Sequence, residues 1–102
     1  MTIIRTIGNY HDASNGRVRK IGQFTGPASY TTGGDPLTGA AIGLGAVEVI
    51  LCEPFDNGTV IILSVYQVVA ATMKFYDMAG DEIANGTNLS AYNARFEAIG
   101  RA

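Results

Sequence analysis

The sequence predicts an all-β fold: a single-domain antiparallel β-sandwich or small β-barrel over residues 1–102. Three observations predict it. Seven short runs are rich in β-branched and aromatic residues, Gly, Asn and Asp turns separate them, and a chain of this length can bury one modest core. A long Gly-rich crossover loop, Gly26 to Gly45, interrupts the pattern and has room for at most one short helical turn.

The first two runs predict a hairpin. Thr2–Tyr10 and Arg17–Thr25 are the expected strands, and Asn15-Gly16 supplies the positive φ angles of a tight turn. In the second strand, Val18 and Phe24 share one face, whereas the other face carries Arg17, Arg19 and Gln23. Arg17 and Arg19 therefore belong either to a solvated face or to a surface for an acidic partner.

The crossover should follow a path fixed by its turn residues. Asp35-Pro36 predicts a turn, because proline fixes φ and disfavours helix at the residue before it. Thr38 could cap a helical turn over residues 39–42 that Gly43 ends. Tyr30 and Leu37 are the large anchors of this loop. They would either contact a partner or fix the loop to the domain's own core.

Dense β-structure is expected from residue 46 onward. Ala46–Glu53 is the next strand, and Asn57-Gly58 between two apolar runs is a strong hairpin signal. Thr59–Ala70 is apolar on both faces, so a second sheet or another subunit should cover it. Thr72–Asp77 alternates, and Glu82–Ala84 has the length of an edge strand only.

The final run, Ala91–Gly100, predicts a half-buried strand. Its apolar residues alternate with polar ones, and the inward set is Tyr92, Ala94, Phe96 and Ala98. A strand of this kind packs one face on the core and turns the other outward, as expected for an antiparallel sheet.

The composition excludes several classes of partner. A formal charge of −2 provides no basic surface for nucleic acid. No run approaches the 18 or so apolar residues of a membrane span, and the first residues lack the features of a signal peptide, so we expect synthesis in the cytoplasm. Charged residues make up only 16% of the chain, which favours a surface partly covered by partners.

The sequence contains no recognisable catalytic, metal or cofactor site, and we expect that the protein is not an enzyme. His11 is the only histidine and lies in a predicted turn, while Cys52 is expected to be a small buried hydrophobe. Asp77, Asp81 and Glu82 surround a glycine turn without the spacing of a calcium loop. The glycines of the crossover lack both the Lys-Ser/Thr and the following helix of a phosphate loop.

Four segments carry a resemblance to a known family. They are Tyr30–Thr38 leading to Gly43-Leu44-Gly45, Lys74–Asp77 before a glycine turn, Asn85–Ser90, and Arg95–Gly100. Together they resemble the small capsid decoration, or head cement, proteins of tailed bacteriophages. The chain differs from that family's pattern in being more apolar over Leu63–Ala71, an excess that an intersubunit surface would explain.

The resemblance implies a compact β-fold that binds the major capsid protein at the capsid surface of the virion and stabilises the head. It also implies a homo-oligomer, a dimer or a trimer, without a cofactor. In this interpretation Tyr30, Leu37, Arg17 and Arg19 are the candidate partner-binding residues. The alternative is a small ligand- or carbohydrate-binding β-sandwich of a phage tail or host protein, which would present an aromatic patch.

Overall fold

The structure, a computed structural model, describes the backbone of residues 2–12 and 17–101 and the side chains of residues 17–101. This part of the chain forms eight strands and one helical turn. The elements are β1 (Thr2–Asp12), β2 (Arg17–Thr25), β3 (Asp35–Pro36), α1 (Gly39–Ile42), β4 (Ala46–Cys52), β5 (Phe55–Asp56), β6 (Ile61–Gln67), β7 (Thr72–Tyr76) and β8 (Asn93–Arg101). The all-β prediction is confirmed.

The strands form one antiparallel sheet that curls into a half-barrel. Its order is β1-β2-β8-β5-β6-β7-β3, and β4 pairs with β8 on the same side as β5. The last strand in sequence is therefore central in space, with β2 on one side and β4 and β5 on the other. The two ends of the sheet differ, since β1 has 11 residues and β3 has two.

The core lies inside the curl and is built around aromatic rings. Phe24 of β2 stacks on Phe96 of β8 with ring centroids 3.9 Å apart. Phe75 of β7 meets Phe55 and Tyr30 edge to face, at 5.0 and 5.6 Å. Such pairs add to the free energy gained by burying the rings. Aromatic contacts thus join β2 to β8, and they join β7 both to β5 and to the crossover.

Alternation along β2, β7 and β8 places the predicted residues inside. The inward residues with less than a tenth of their surface exposed are Val18, Phe24, Met73, Phe75, Ala94, Phe96 and Ala98. Tyr92, predicted to face inward at the start of the last strand, is partly buried and packs against this core just before β8 begins.

Strand β4 departs from simple alternation. Its register on β8 shifts between Val47 and Val49, so an extra residue, Glu48, stands at a β-bulge. The bulge lets Val47 and Ile50 both pack on the core, although they are three residues apart. Leu51 is turned outward and is 58% exposed.

The crossover contains little regular structure, but hydrogen bonds fix its path. The helical turn α1 is the one expected, and Gly43 ends it with φ +85°, although the Thr38 side chain makes no capping bond. A turn was expected at Asp35-Pro36, and these two residues also form the short strand β3, which pairs with β7. This helix is too short to span a membrane, and the described residues contain no longer one.

Two other expectations change in the second half. Strand β6 is shorter than the apolar run, because residues 68–71 form the turn into β7. Residues 82–84 do not form a strand, and a single bridge joins Glu82 to Tyr76.

The Asn57-Gly58 turn is confirmed: Gly58 has φ +95° and Asn57 Oδ1 accepts hydrogen bonds from the N–H groups of Thr59 and Val60. The Asn15-Gly16 turn lies outside the described residues.

Candidate interaction surface

Strand β6 has one covered face and one open face. Ile62 points into the core and is 2% exposed. On the opposite face, Ile61, Leu63 and Val65 are 47%, 41% and 52% exposed, and we call this row the β6 stripe. The sequence predicted cover on both sides of this strand, by a second sheet or another subunit. Within the described residues the chain covers only one side.

The turn after β6 extends the exposed apolar surface. Val68 is 46% exposed, and Val69 projects fully into solvent. The turn is held in place at its base, where the Thr72 hydroxyl lies 3.0 Å from Gln67 Oε1 in a hydrogen bond. Ala71 closes it with φ +53°, a conformation that residues other than glycine rarely adopt. Exposed valines are therefore presented on a fixed turn.

The strands beside the stripe contribute few charges to it. On β7, Tyr76 lies opposite Leu63 and Lys74 opposite Val65, and both are partly buried. On β5, Asp56 lies opposite Ile61. The stripe is thus an aliphatic row with charges only at its margins.

Tyr30 lies in the core of the chain rather than on its surface. It is 1% exposed, its hydroxyl donates to Glu82 Oε2 at 2.7 Å, and the same hydroxyl accepts from the N–H of Phe75 at 3.2 Å. Burial and the hydrogen bond to Glu82 raise the pKa of Tyr30 to about 12. Tyr30 thus fixes the crossover to the core, which is one of the two roles that the sequence left open.

Leu37 is also buried, at 3% exposure. Its N–H donates to Ala71 O at 2.8 Å and its carbonyl accepts from the Tyr66 hydroxyl at 2.8 Å. These bonds fix the middle of the crossover to both sides of the β6–β7 turn. A partner could reach Leu37 or Tyr30 only if the crossover left the core.

Arg17 and Arg19 are exposed on the outer face of β2, as expected. Arg17 Nε donates to both carboxylate oxygens of Glu48, at 2.9 and 3.1 Å, and Arg101 Nε lies 3.7 Å from the same carboxylate. Arg19 Nη1 lies 3.5 Å from Glu97 Oε1. The arginines are accompanied by carboxylates of their own chain, so an acidic partner would have to compete with these ion pairs.

Glu82 joins the crossover to the second half of the chain. Its Oε2 accepts from Tyr30 Oη and from the N–H of Gly33 at 2.6 Å. Nearby, Asn85 Oδ1 accepts from the N–H of Thr32. The hydrogen bonds from Gly33 and Tyr30 lower the pKa of Glu82, because they stabilise the charged carboxylate.

We expect Glu82→Gln to lower the melting temperature most at neutral pH. A carboxylate whose pKa is lowered by folding stabilises the fold above its unfolded pKa, near 4.5, and loses that effect as the pH falls through its folded pKa. Melting curves of the wild type and the variant should therefore converge as the pH falls below 4.5 and through the lower pKa of Glu82 in the folded chain. Glu53→Gln, which removes an exposed charge elsewhere, serves as the control. A difference that is the same at every pH would contradict this role.

No group of three His, Cys, Asp or Glu residues that could hold a metal ion occurs where side chains are described. Burial raises the pKa of the Cys52 thiol to about 11, so little of the reactive thiolate forms near neutral pH. His11 lies in β1 rather than in a turn, and its side chain is outside the described part. A shallow depression on the outer face of β8, between Ile21 and Leu51, has a volume of about 380 Å³ and contains no such cluster.

Two features of this surface differ from the residues that the sequence singled out. Tyr30 and Leu37 are buried, whereas the β6 stripe is an exposed apolar row, and its signal in the sequence was the run that is apolar on both faces. The sequence named Glu82 only as part of an acidic turn and gave no signal for its bonds to the crossover, because its partners Tyr30 and Gly33 are about fifty positions away. No protein-family model, curated protein or solved structure matches this chain.

Proposed function

We propose that this protein is a structural component of a bacteriophage particle, a capsid decoration protein that binds major capsid protein subunits and stabilises the head. The observation that carries the proposal is the β6 stripe, an ordered aliphatic row left open on a folded chain. Soluble monomers rarely expose contiguous apolar patches of more than a few hundred Å², and larger ones mark interaction sites.

The fold suits a role in which many copies act together. Hydrogen bonds fix the crossover and the β6–β7 turn, so the exposed surface needs little ordering when a partner binds. A lattice that presents many equivalent sites can hold its decoration protein by modest contacts in each copy, particularly when the copies also contact one another. The resemblance of the four sequence segments supports the same class of protein.

The exposed surface gives little support to the alternative function, a carbohydrate-binding module. Among residues with described side chains, the large exposed hydrophobic residues are all aliphatic or methionine. The phenylalanines and Tyr30 are in the core, and the other described tyrosines are at least partly buried. A flat aromatic face for stacking against a sugar ring is therefore not a feature of this surface.

Binding to undecorated particles tests the proposal. Purified chain is mixed with particles assembled from the major capsid protein of the virus that encodes it, and the bound copies are counted by quantitative mass spectrometry after sedimentation. We expect saturable binding and a delay in thermal disruption of the particle. Leu63→Asp should lower the bound copies at a fixed concentration by tenfold or more, because it places a charge in the stripe.

Two controls match this variant. Leu63→Met keeps the apolar surface at the same position, and Ala28→Asp adds the same charge on an exposed part of the crossover. Both should bind like the wild type. If the wild type fails to bind particles, the proposed function is wrong; if Leu63→Asp binds as well as the wild type, the stripe does not carry it.

A further inference from the structure

We infer that the β6 stripe is where a second copy of this chain docks, with the two stripes face to face across a two-fold axis that passes near Leu63. This inference deepens the proposed function, on which it rests in treating the stripe as an assembly surface. The stripe then acts on particle binding indirectly: it joins two copies into a pair that holds the lattice at two sites, and capsid protein contacts another part of that pair. The chemistry of the stripe, its size and the charges at its margins all favour this occupant.

The stripe is complementary to itself. Ile61, Leu63 and Val65 are β-branched or branched aliphatic residues at alternate positions of one strand, so they form a straight row about 13 Å long. A two-fold axis perpendicular to the strand places Leu63 against Leu63 and Ile61 against Val65 of the other copy. A two-fold interface uses the same patch on both chains, so no partner with a different surface is required.

The size of the surface also fits. The stripe together with Val68 and Val69 exposes on the order of 500 Å² of mostly apolar surface, at the upper end for a monomer. A stable interface buries about 800 Å² on each partner, with an apolar centre and a polar rim. The stripe and its turn can supply that centre, and their neighbours on β5 and β7 can supply the rim.

The charges at the margin favour the antiparallel orientation of the two β6 strands. Lys74 lies beside Val65, whereas Asp77 and Asp81 follow the other end of β7, beyond the position opposite Leu63. The two-fold axis therefore brings Lys74 of each copy toward the acidic turn of the other. With the strands parallel, this pairing of opposite charges would be lost.

The pairing would also complete the architecture. Face-to-face packing of two sheets at about 10 Å is the usual way to cover an open sheet face. It would give Thr59–Ala70 the cover on both faces that its apolar sequence requires, from a second subunit rather than from a second sheet of the same chain.

The mass of the protein in solution tests the inference. Sedimentation velocity over a range of concentrations should give twice the 10.7 kDa chain mass for the wild type, Leu63→Met and Ala28→Asp. Leu63→Asp should raise the dissociation constant of the dimer by about a hundredfold, with an unchanged circular dichroism spectrum. A monomeric wild type, a trimer, or a Leu63→Asp variant that stays dimeric would overturn the inference.

Cross-linking tests the position of the axis. Packed sheets are about 10 Å apart, too far for a disulfide, so we would use a short bis-maleimide on single cysteines in a Cys52→Ser background. Leu63→Cys should give a covalent dimer in high yield. Ile61→Cys should not, because its two copies would also be separated by about 13 Å along the strand. Equal yields at both positions would place the axis elsewhere.

The two experiments separate this inference from the proposed function. A wild type that dimerises through the stripe but does not bind particles would support the dimer and remove the capsid role. A wild type that binds particles but is a monomer in solution at every concentration would support the capsid role and overturn the dimer.

Discussion

Tyr30→Ala should lower the free energy of unfolding by about 3–5 kcal/mol, the range measured for removing a large buried aromatic side chain. The ring is 1% exposed and packs edge to face on Phe75. Its hydroxyl is bonded to Glu82 and to the backbone of Phe75. The substitution would leave a cavity and remove the contact that fixes the first part of the crossover.

Tyr30→Phe separates the hydroxyl from the ring. The ring contacts remain, but the N–H of Phe75 loses its partner in a buried site, which costs about 1–3 kcal/mol. Urea unfolding followed by circular dichroism measures both variants. A cost for Tyr30→Ala no larger than that for Tyr30→Phe would mean that the ring packs less tightly than its burial indicates.

Gly34→Ala should lower the free energy of unfolding by about 3 kcal/mol or more, through two additive causes. Gly34 has φ +132°, which a residue with a Cβ adopts only with strain. A Cβ at this position would also lie 2.6 Å from Cβ and Oγ1 of Thr72. Since Gly34 leads directly into β3, relieving the overlap would move β3 away from β7.

The adjacent glycine is a matched control. Gly33 also has a positive φ, +98°, but a Cβ there would have no atom within 4 Å. Gly33→Ala should therefore lower the free energy of unfolding only through conformational strain, by about 1 kcal/mol. Chemical denaturation of the two variants gives the cost of the overlap as their difference. Equal losses of stability would show that β3 shifts freely, and that its pairing with β7 contributes little.

Much of the fold can be predicted from short-range signals in the sequence. The bounds of β2 and α1 follow the prediction, because alternation and a glycine stop are signals within a few residues. The alternation of β7 and the inward residues of β8 follow for the same reason. Local signals did not reveal the bulge at Glu48, since a bulge is decided by the register of β4 on β8.

The surface was less accessible to sequence reasoning. A long loop with two large anchors suggests a contact site, and only the tertiary structure shows that Tyr30 and Leu37 are used internally. Arg17 and Arg19 were placed correctly on an outer face, but their partners Glu48 and Glu97 come from strands far along the chain. The apolar run of β6 could be found from the sequence, whereas the side that remains open could not.

The central position of β8 has a consequence for the timing of folding. Strand β2 pairs along its whole length with β8, which begins at Asn93. Strands β4 and β5 also pair with β8. The sheet therefore cannot close until residues 93–101 have left the ribosome, and contacts of this separation are slow to form. Truncated chains would lack the strand that joins both halves. They would expose their apolar faces to aggregation and proteolysis, so only copies that include β8 would persist.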